Sequence, residues 1–428
     1  MTIHSATPAQ DAALTSRHWL ALGSAFLAWL FDSMDLNLFT LVLFPSVAEL
    51  LHSTNAGDIA RTGGLIMAIK LFAWGIGGVV FGVIADSIGR SRTLIITVLI
   101  YAGFTGLSGL AQTWWELAIL QALAGFGIGG EWSAGAALIA ETWPERYRSR
   151  AMQFVQLAFS VGFFVAALDN LILGPIGGWR WVLAAGALPA LLTLFMRRHV
   201  PEPELWMRVR EREIQDGTRT SSFGTFAAIF RPDLRRKTIV GLLVASAMMI
   251  TSWAGLTLLP SWIQQLLGPA HADGVKVVSY AFMLMMAGAL AGYLTLMWLT
   301  DAIGRRNSYF LFAAGAFAAS LYLFLHVKTL GHLLWFIPVY GYFAIGGFGT
   351  FAVYLPELFP TRVRATGQGF CWNLARSITG IGPLVAGALV GTFGSLPYAA
   401  AAVSIFYVVG LVAIWFGPET RNLPADES

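Results

Sequence analysis

The sequence predicts an all-α membrane protein of twelve transmembrane helices arranged as two six-helix bundles. Three features carry that prediction. Of the 428 residues, 57% are hydrophobic and only 12% charged, against about a quarter charged in a soluble domain, and the mean hydropathy is +0.67. Twelve apolar runs, each able to cross a hydrocarbon core of roughly 30 Å, are separated by short charged or Pro- and Gly-bearing loops. The last six runs repeat loop signatures of the first six at a spacing near 215 residues.

In order, the runs fall at about 19–44, 64–85, 93–112, 114–140, 151–172 and 178–196, then at about 238–267, 276–300, 308–327, 331–355, 365–391 and 397–417. This divides the chain into a first bundle over 1–196, a linker over 197–237 and a second bundle over 238–428. The linker opens Pro201-Glu-Pro-Glu-Leu-Trp206, is rich in Arg and acids, and reads as a connector with a short surface helix. Loops on the side of the linker and both termini hold 21 Lys and Arg, and those on the other side hold 4. Basic loops stay inside, so both termini are expected in the cytoplasm. The first 18 residues are polar without the pattern of a cleaved signal peptide, so the first helix is expected to be retained.

Composition also excludes function classes. The pI near 9.3 comes from short loops between apolar spans, which fits membrane orientation and gives no nucleic-acid surface. A single Cys371 excludes a disulfide framework or a cysteine metal cluster, and the seven His lie mostly in tails, loops or helix ends. No metal or cofactor is expected. There is no nucleophile elbow and no P-loop, and Gly125-Phe-Gly127-Ile-Gly129-Gly130 lies inside an apolar span, where small residues let helices approach closely. An enzyme is not expected.

Charged residues inside the spans are the functional candidates. Asp32 and Asp35 sit near the middle of the first run, three residues apart on one helix face. A carboxylate at mid-bilayer costs on the order of 3 kcal/mol, so these acids face water, a partner or a substrate. Lys70 in the second run falls at nearly the height of Asp35, which makes a buried pair possible. Glu131 in the fourth run and Asp32 have no cation at their own depth except Arg376, near the middle of the eleventh. These three acids are the candidates for carrying protons. Arg376, with Asn373 one turn before it, Gln156 and Lys70, forms the candidate substrate set.

The loop signatures identify the repeat. Asp86-Ser-Ile-Gly89-Arg90 recurs as Asp301-Ala-Ile-Gly304-Arg305, and Glu141-Thr-Trp-Pro144-Glu-Arg146-Tyr-Arg148 as Glu357-Leu-Phe-Pro360-Thr-Arg362-Val-Arg364. Pro201-Glu202 has its counterpart in Pro418-Glu419. With the full G-x-x-x-D-x-x-G-R pattern from Gly82 to Arg90, the chain resembles the major facilitator superfamily. The second copy departs from the pattern, with Met297 at the glycine. Asp32-Ser-Met-Asp35, Gly129-Gly-Glu-Trp132 and Pro356-Glu-Leu-Phe-Pro-Thr361 resemble the proton symporters of organic acids, the sialate, lactate and aromatic-acid branches.

That resemblance implies two bundles rocking around a midplane cavity, with protons as the coupling ion, a small organic anion as cargo and no cofactor. It also implies a gate at the cytoplasmic helix ends, built from Asp86, Arg90, Arg92 and Glu141 in one half and Asp301, Arg305, Arg306 and Glu357 in the other. The expected setting is a bacterial inner membrane, with a monomer as the working unit and the lipid bilayer as its surroundings. A sugar porter or an uncoupled facilitator of the same fold is the alternative.

Overall fold

The computed structural model describes residues 14–216, 222–267, 274–379, 389 and 392–421. Among these residues the secondary structure is helical. The first half comprises α1 (Ser16–Leu51), α2 (Ala56–Ile88), α3 (Arg90–Ser108), α4 (Trp114–Thr142), α5 (Glu145–Ala185) and α6 (Ala190–His199). Two short helices, α7 (Glu204–Gln215) and α8 (Ser222–Ala228), lie in the linker. The second half comprises α9 (Pro232–Leu267), α10 (Gly274–Ile303), α11 (Arg305–His326), α12 (Leu330–Ala344), α13 (Gly349–Glu357), α14 (Arg364–Thr379), α15 (Leu396–Val403) and α16 (Phe406–Ala413).

Nine spans among the described residues are long and apolar enough to cross a membrane. The twelve expected runs map onto them once three departures are explained. The fifth and sixth runs form one continuous span broken by non-helical backbone at Gly177 and Gly178, where Gly178 takes φ 63°. The fourth run, α4, is missing from the nine because its inner half is glycine, alanine and Glu131, buried against neighbours. The eleventh run begins as α14, and residues 380–388, 390 and 391 of that run lie outside the described residues. A further difference is the tenth run, which a 3-10 turn over Gly346–Phe348 divides into α12 and α13.

Packing explains the glycine clusters. On α4, a Cβ at Gly125 or Gly129 would collide with the carbonyls of Lys70 and Trp74 on α2, and one at Gly127 or Gly130 would press on Tyr101 and Thr97 of α3. The stripe therefore brings three backbones together, as small residues do between membrane helices. Outward, Phe72, Leu110, Leu171, Ile176 and Ile405 are exposed, a surface that suits hydrocarbon and not water. Exposed Trp19, Trp298 and Trp415 mark the face that carries the linker, and Trp115, Trp181 and Trp335 mark the opposite face. Indoles at both membrane boundaries form interfacial belts.

The halves meet along two seams, α2 against α14 and α5 against α10. Gly75, Gly78 and Gly82 line α2 where Ser377, Asn373 and Ala365 of α14 press on it.

Candidate functional site

Midway along the molecule, α1, α2, α4 and α14 bring five charged side chains into a buried group. Lys70 Nζ lies 2.8 Å from Asp35 Oδ2, and both side chains are buried. Thr105 donates its hydroxyl to the other Asp35 oxygen, and Lys70 lies over the Phe39 ring at 5.0 Å. Asp35 and Lys70 thus take each other, as counting residues from the helix ends suggests.

Asp32 and Glu131 form the second part of the group. Their carboxyl groups lie within side-chain hydrogen-bonding reach of each other, with Arg376 close enough to act on both. Neither oxygen of Asp32 has a hydrogen-bond donor, nor does Glu131 Oε2. Arg376 is buried, with Nε and Nη1 unpartnered. Its guanidinium lies 3.9 Å from the centre of the Trp74 ring and 5.5 Å from that of Trp372. An aromatic face partly offsets a buried cation and leaves its N–H donors free in the ring plane.

Around these charges lie polar atoms with spare bonding capacity. Gln156 donates Nε2 to the Phe348 carbonyl at 3.3 Å, and Asn373 donates to Gly369 at 2.9 Å, yet Gln156 Oε1 and Asn373 Oδ1 have no donor. The indole N–H groups of Trp29 and Trp372 are also unpartnered. Trp29, Glu131, Trp132, Met152 and Gln156 line a cavity of about 10 Å³, room for a single water. The structure therefore places Asp32, Glu131, Arg376, Gln156 and Asn373 around the midplane and pairs Lys70 with Asp35. Trp74 was not among the sequence candidates. Its signal is position, since Lys70, Trp74 and Gly78 fall four apart along one face of α2.

At the linker face the loop residues lock the halves together. Arg90 makes a two-pronged bond to Glu141, at 2.9 and 2.8 Å, and reaches the Thr361 carbonyl at 2.7 Å. Arg364 bonds Glu141 at 3.2 Å from the other half. Asp86 accepts the backbone N–H groups of Ala365 and Thr366 and the Thr366 hydroxyl, at 3.2, 2.8 and 2.6 Å. An acid of the first half therefore caps the N-terminus of α14 in the second. In the matching cluster Arg305 bonds Glu357 at 3.1 Å through two nitrogens and Asp301 at 3.1 Å.

Arg92 and Arg306 contribute their backbone N–H groups, to Glu202 and Glu419. Each of those glutamates also accepts the preceding amide, so each caps one helix, α3 or α11. The Arg306 side chain lies over Trp415 at 4.8 Å.

The comparisons with known proteins accord with this geometry. The profile of the Major Facilitator Superfamily matches residues 21–380. A probable 4-methylmuconolactone transporter of Cupriavidus pinatubonensis is 32% identical over 410 residues, covering 94% of this chain and 90% of the relative. The sialic acid transporter NanX of Escherichia coli is 30% identical, covering 87% of this chain and 88% of the relative. The solved structure of the proton:xylose symporter XylE superposes with a TM-score of 0.79 at 18% identity, over 96% of this chain and 98% of that one. Two six-run sets, duplicated loop signatures and full-length likeness to membrane carriers lead to one conclusion: the chain belongs to the major facilitator superfamily and is a transporter, not an enzyme.

Proposed function

We propose that the chain is a proton-coupled symporter of a small organic anion, working by alternating access. The observation that carries this reading is the buried guanidinium of Arg376, with Nε and Nη1 unpartnered, beside Asp32 and Glu131. If all five charges ionise, Asp35 and Lys70 cancel, and Asp32, Glu131 and Arg376 leave one negative charge in excess. One proton makes the group neutral. An incoming carboxylate takes the free Arg376 donors as a two-pronged pair, and a group buried between two bundles then stays neutral only if a further proton enters with the anion. Coupling follows from that charge balance.

The names of the relatives, for muconolactone, sialic acid, cis,cis-muconate, niacin and benzoate, support an acidic cargo. The basic loops support a cytoplasmic linker face, and the bacterial sources of those relatives support an inner membrane. Gln156 and Asn373 offer bonds to the cargo, while Asp35 and Lys70 hold α1 against α2. The superposition with XylE bears on the fold alone. A sugar porter leaves the Arg376 donors without a use.

The test is uptake into proteoliposomes with and without an inward proton gradient. Accumulation of an organic acid above equilibrium only with the gradient is expected. Gradient-independent equilibration, or uptake of an uncharged sugar in preference to any acid, overturns the reading.

A further inference from the structure

Trp132 of α4 and Trp372 of α14 stack across the boundary between the halves. Their ring centres are 4.3 Å apart and their planes differ by 9°. Both are buried. Aromatic pairs favour offset-stacked or edge-to-face arrangements, and this one takes the stacked form, with two flat faces held parallel across the boundary. Phe348 and Phe351 set their edges against Trp372, at interplanar angles of 76° and 71°, so the second half holds that indole plane in place. On the first half, Trp132 follows Glu131 directly and lines the midplane cavity with it. Trp372 precedes Arg376 by one helical turn, and its N–H has no partner. The stack thus lies beside the buried charge group, with the Arg376 guanidinium 5.5 Å from the Trp372 ring, and bridges the two halves.

We propose that this stack is the ring site of a planar carboxylic acid. The indoles part by the thickness of one conjugated ring, about 3.5 Å, and the flat face of the acid replaces each indole's contact with the other. Its carboxylate meets Arg376, and the Trp372 N–H serves a ring heteroatom or second oxygen. This assignment rests on the organic-anion reading and narrows it to flat, conjugated acids. A saturated ring of the same charge presents axial hydrogens to both indoles and cannot approach them as closely. A polyhydroxylated acid turns hydroxyl groups onto indole faces that offer no hydrogen bonds.

Calorimetric titration of the purified full chain tests this, using three flat acids (benzoate, nicotinate and cis,cis-muconate) against their saturated counterparts (cyclohexanecarboxylate, nipecotate and adipate) and N-acetylneuraminate. At least one flat acid is expected to bind roughly tenfold tighter than its counterpart, the scale of one lost stacking face. Trp132→Phe and Trp372→Phe, which keep a flat ring, are expected to retain most of that preference. Trp132→Leu and Trp372→Leu are expected to bring the ratio within about threefold, through loss of the flat acid's affinity alone. Equal binding of flat and saturated acids, tightest binding of N-acetylneuraminate, or a preference unchanged in both Leu variants overturns the ring site and leaves the organic-anion reading standing. A wild-type chain that binds no acid at all, with xylose as a comparison ligand, overturns both.

Discussion

The Lys70 ammonium lies 2.8 Å from Asp35 with both side chains buried, so neither charge is free for cargo in this arrangement. Removing one partner of such a pair leaves an uncompensated charge and costs about 3–5 kcal/mol, while removing both costs far less. Asp35→Asn and Lys70→Met are each expected to lower the thermal unfolding temperature, and the double variant to recover most of the loss and to keep gradient-driven uptake. A double variant that folds but no longer accumulates substrate would move the pair into the coupling machinery.

Asp32 and Glu131 bear the coupling on the reading above. Asp32→Asn and Glu131→Gln keep shape and remove a proton site. At least one is expected to abolish accumulation against a gradient while leaving substrate exchange, which needs no net proton release. Normal proton-driven accumulation in both variants would falsify the assignment.

Arg376→Lys keeps the charge and loses the planar fork that grips a carboxylate at two points. An affinity loss of at least roughly tenfold, about 1.4 kcal/mol, is expected in a variant that still inserts and folds. Unchanged affinity for the acid, measured by exchange or calorimetry, rules out the docking role.

Asp86 binds backbone amides of α14 across the halves, so on the alternating-access reading proposed above this bond must break for the linker face to open. Asp86→Asn removes the charge that favours a helix N-terminus, and each 1.4 kcal/mol shifts a two-state balance about tenfold. In a Cys371→Ser background, a cysteine at Ser149, whose hydroxyl meets Thr300 at 2.7 Å in the closed face, is expected to react with thiol reagents several-fold faster when Asp86→Asn is added. Equal rates with and without the change mean that Asp86 does not hold the face shut.

Orientation has its own measurement. With the same Cys371→Ser background, a cysteine placed at Gln215 in α7 is expected to resist an impermeant thiol reagent outside intact cells and to react after lysis. Labelling from outside inverts the topology.

The spans were legible in the sequence because hydrocarbon demands long apolar runs, and the Gly177–Gly178 break because two runs separate there. Depth was legible as well: equal distances from helix ends brought Asp35 to Lys70. Rotation about the helix axis was not. Hydropathy sets how far a residue lies along a helix but not which neighbour its face meets, so Trp74 under Arg376 and the Trp132–Trp372 stack emerge only in three dimensions. The caps from Asp86, Glu202 and Glu419 were hidden for a related reason, since each spans more than a hundred residues and uses backbone amides that leave no mark on composition.

Gly82 leaves the carbonyl of Ala365 and the Cα of Thr366 against bare backbone, and the second copy of the pattern has Met297 in its place. There Asp301 reaches Arg305 and, at 3.9 Å, the half-exposed Arg150, and no α5 amide among the described contacts. Gly288 and Gly292 of α10 serve α12 instead, packing on Pro338 and Tyr342. The two duplicated edges are therefore closed differently, α2 on α14 by backbone contact and a charged cap, and α5 on α10 by side chains such as the Ser149–Thr300 hydroxyl pair.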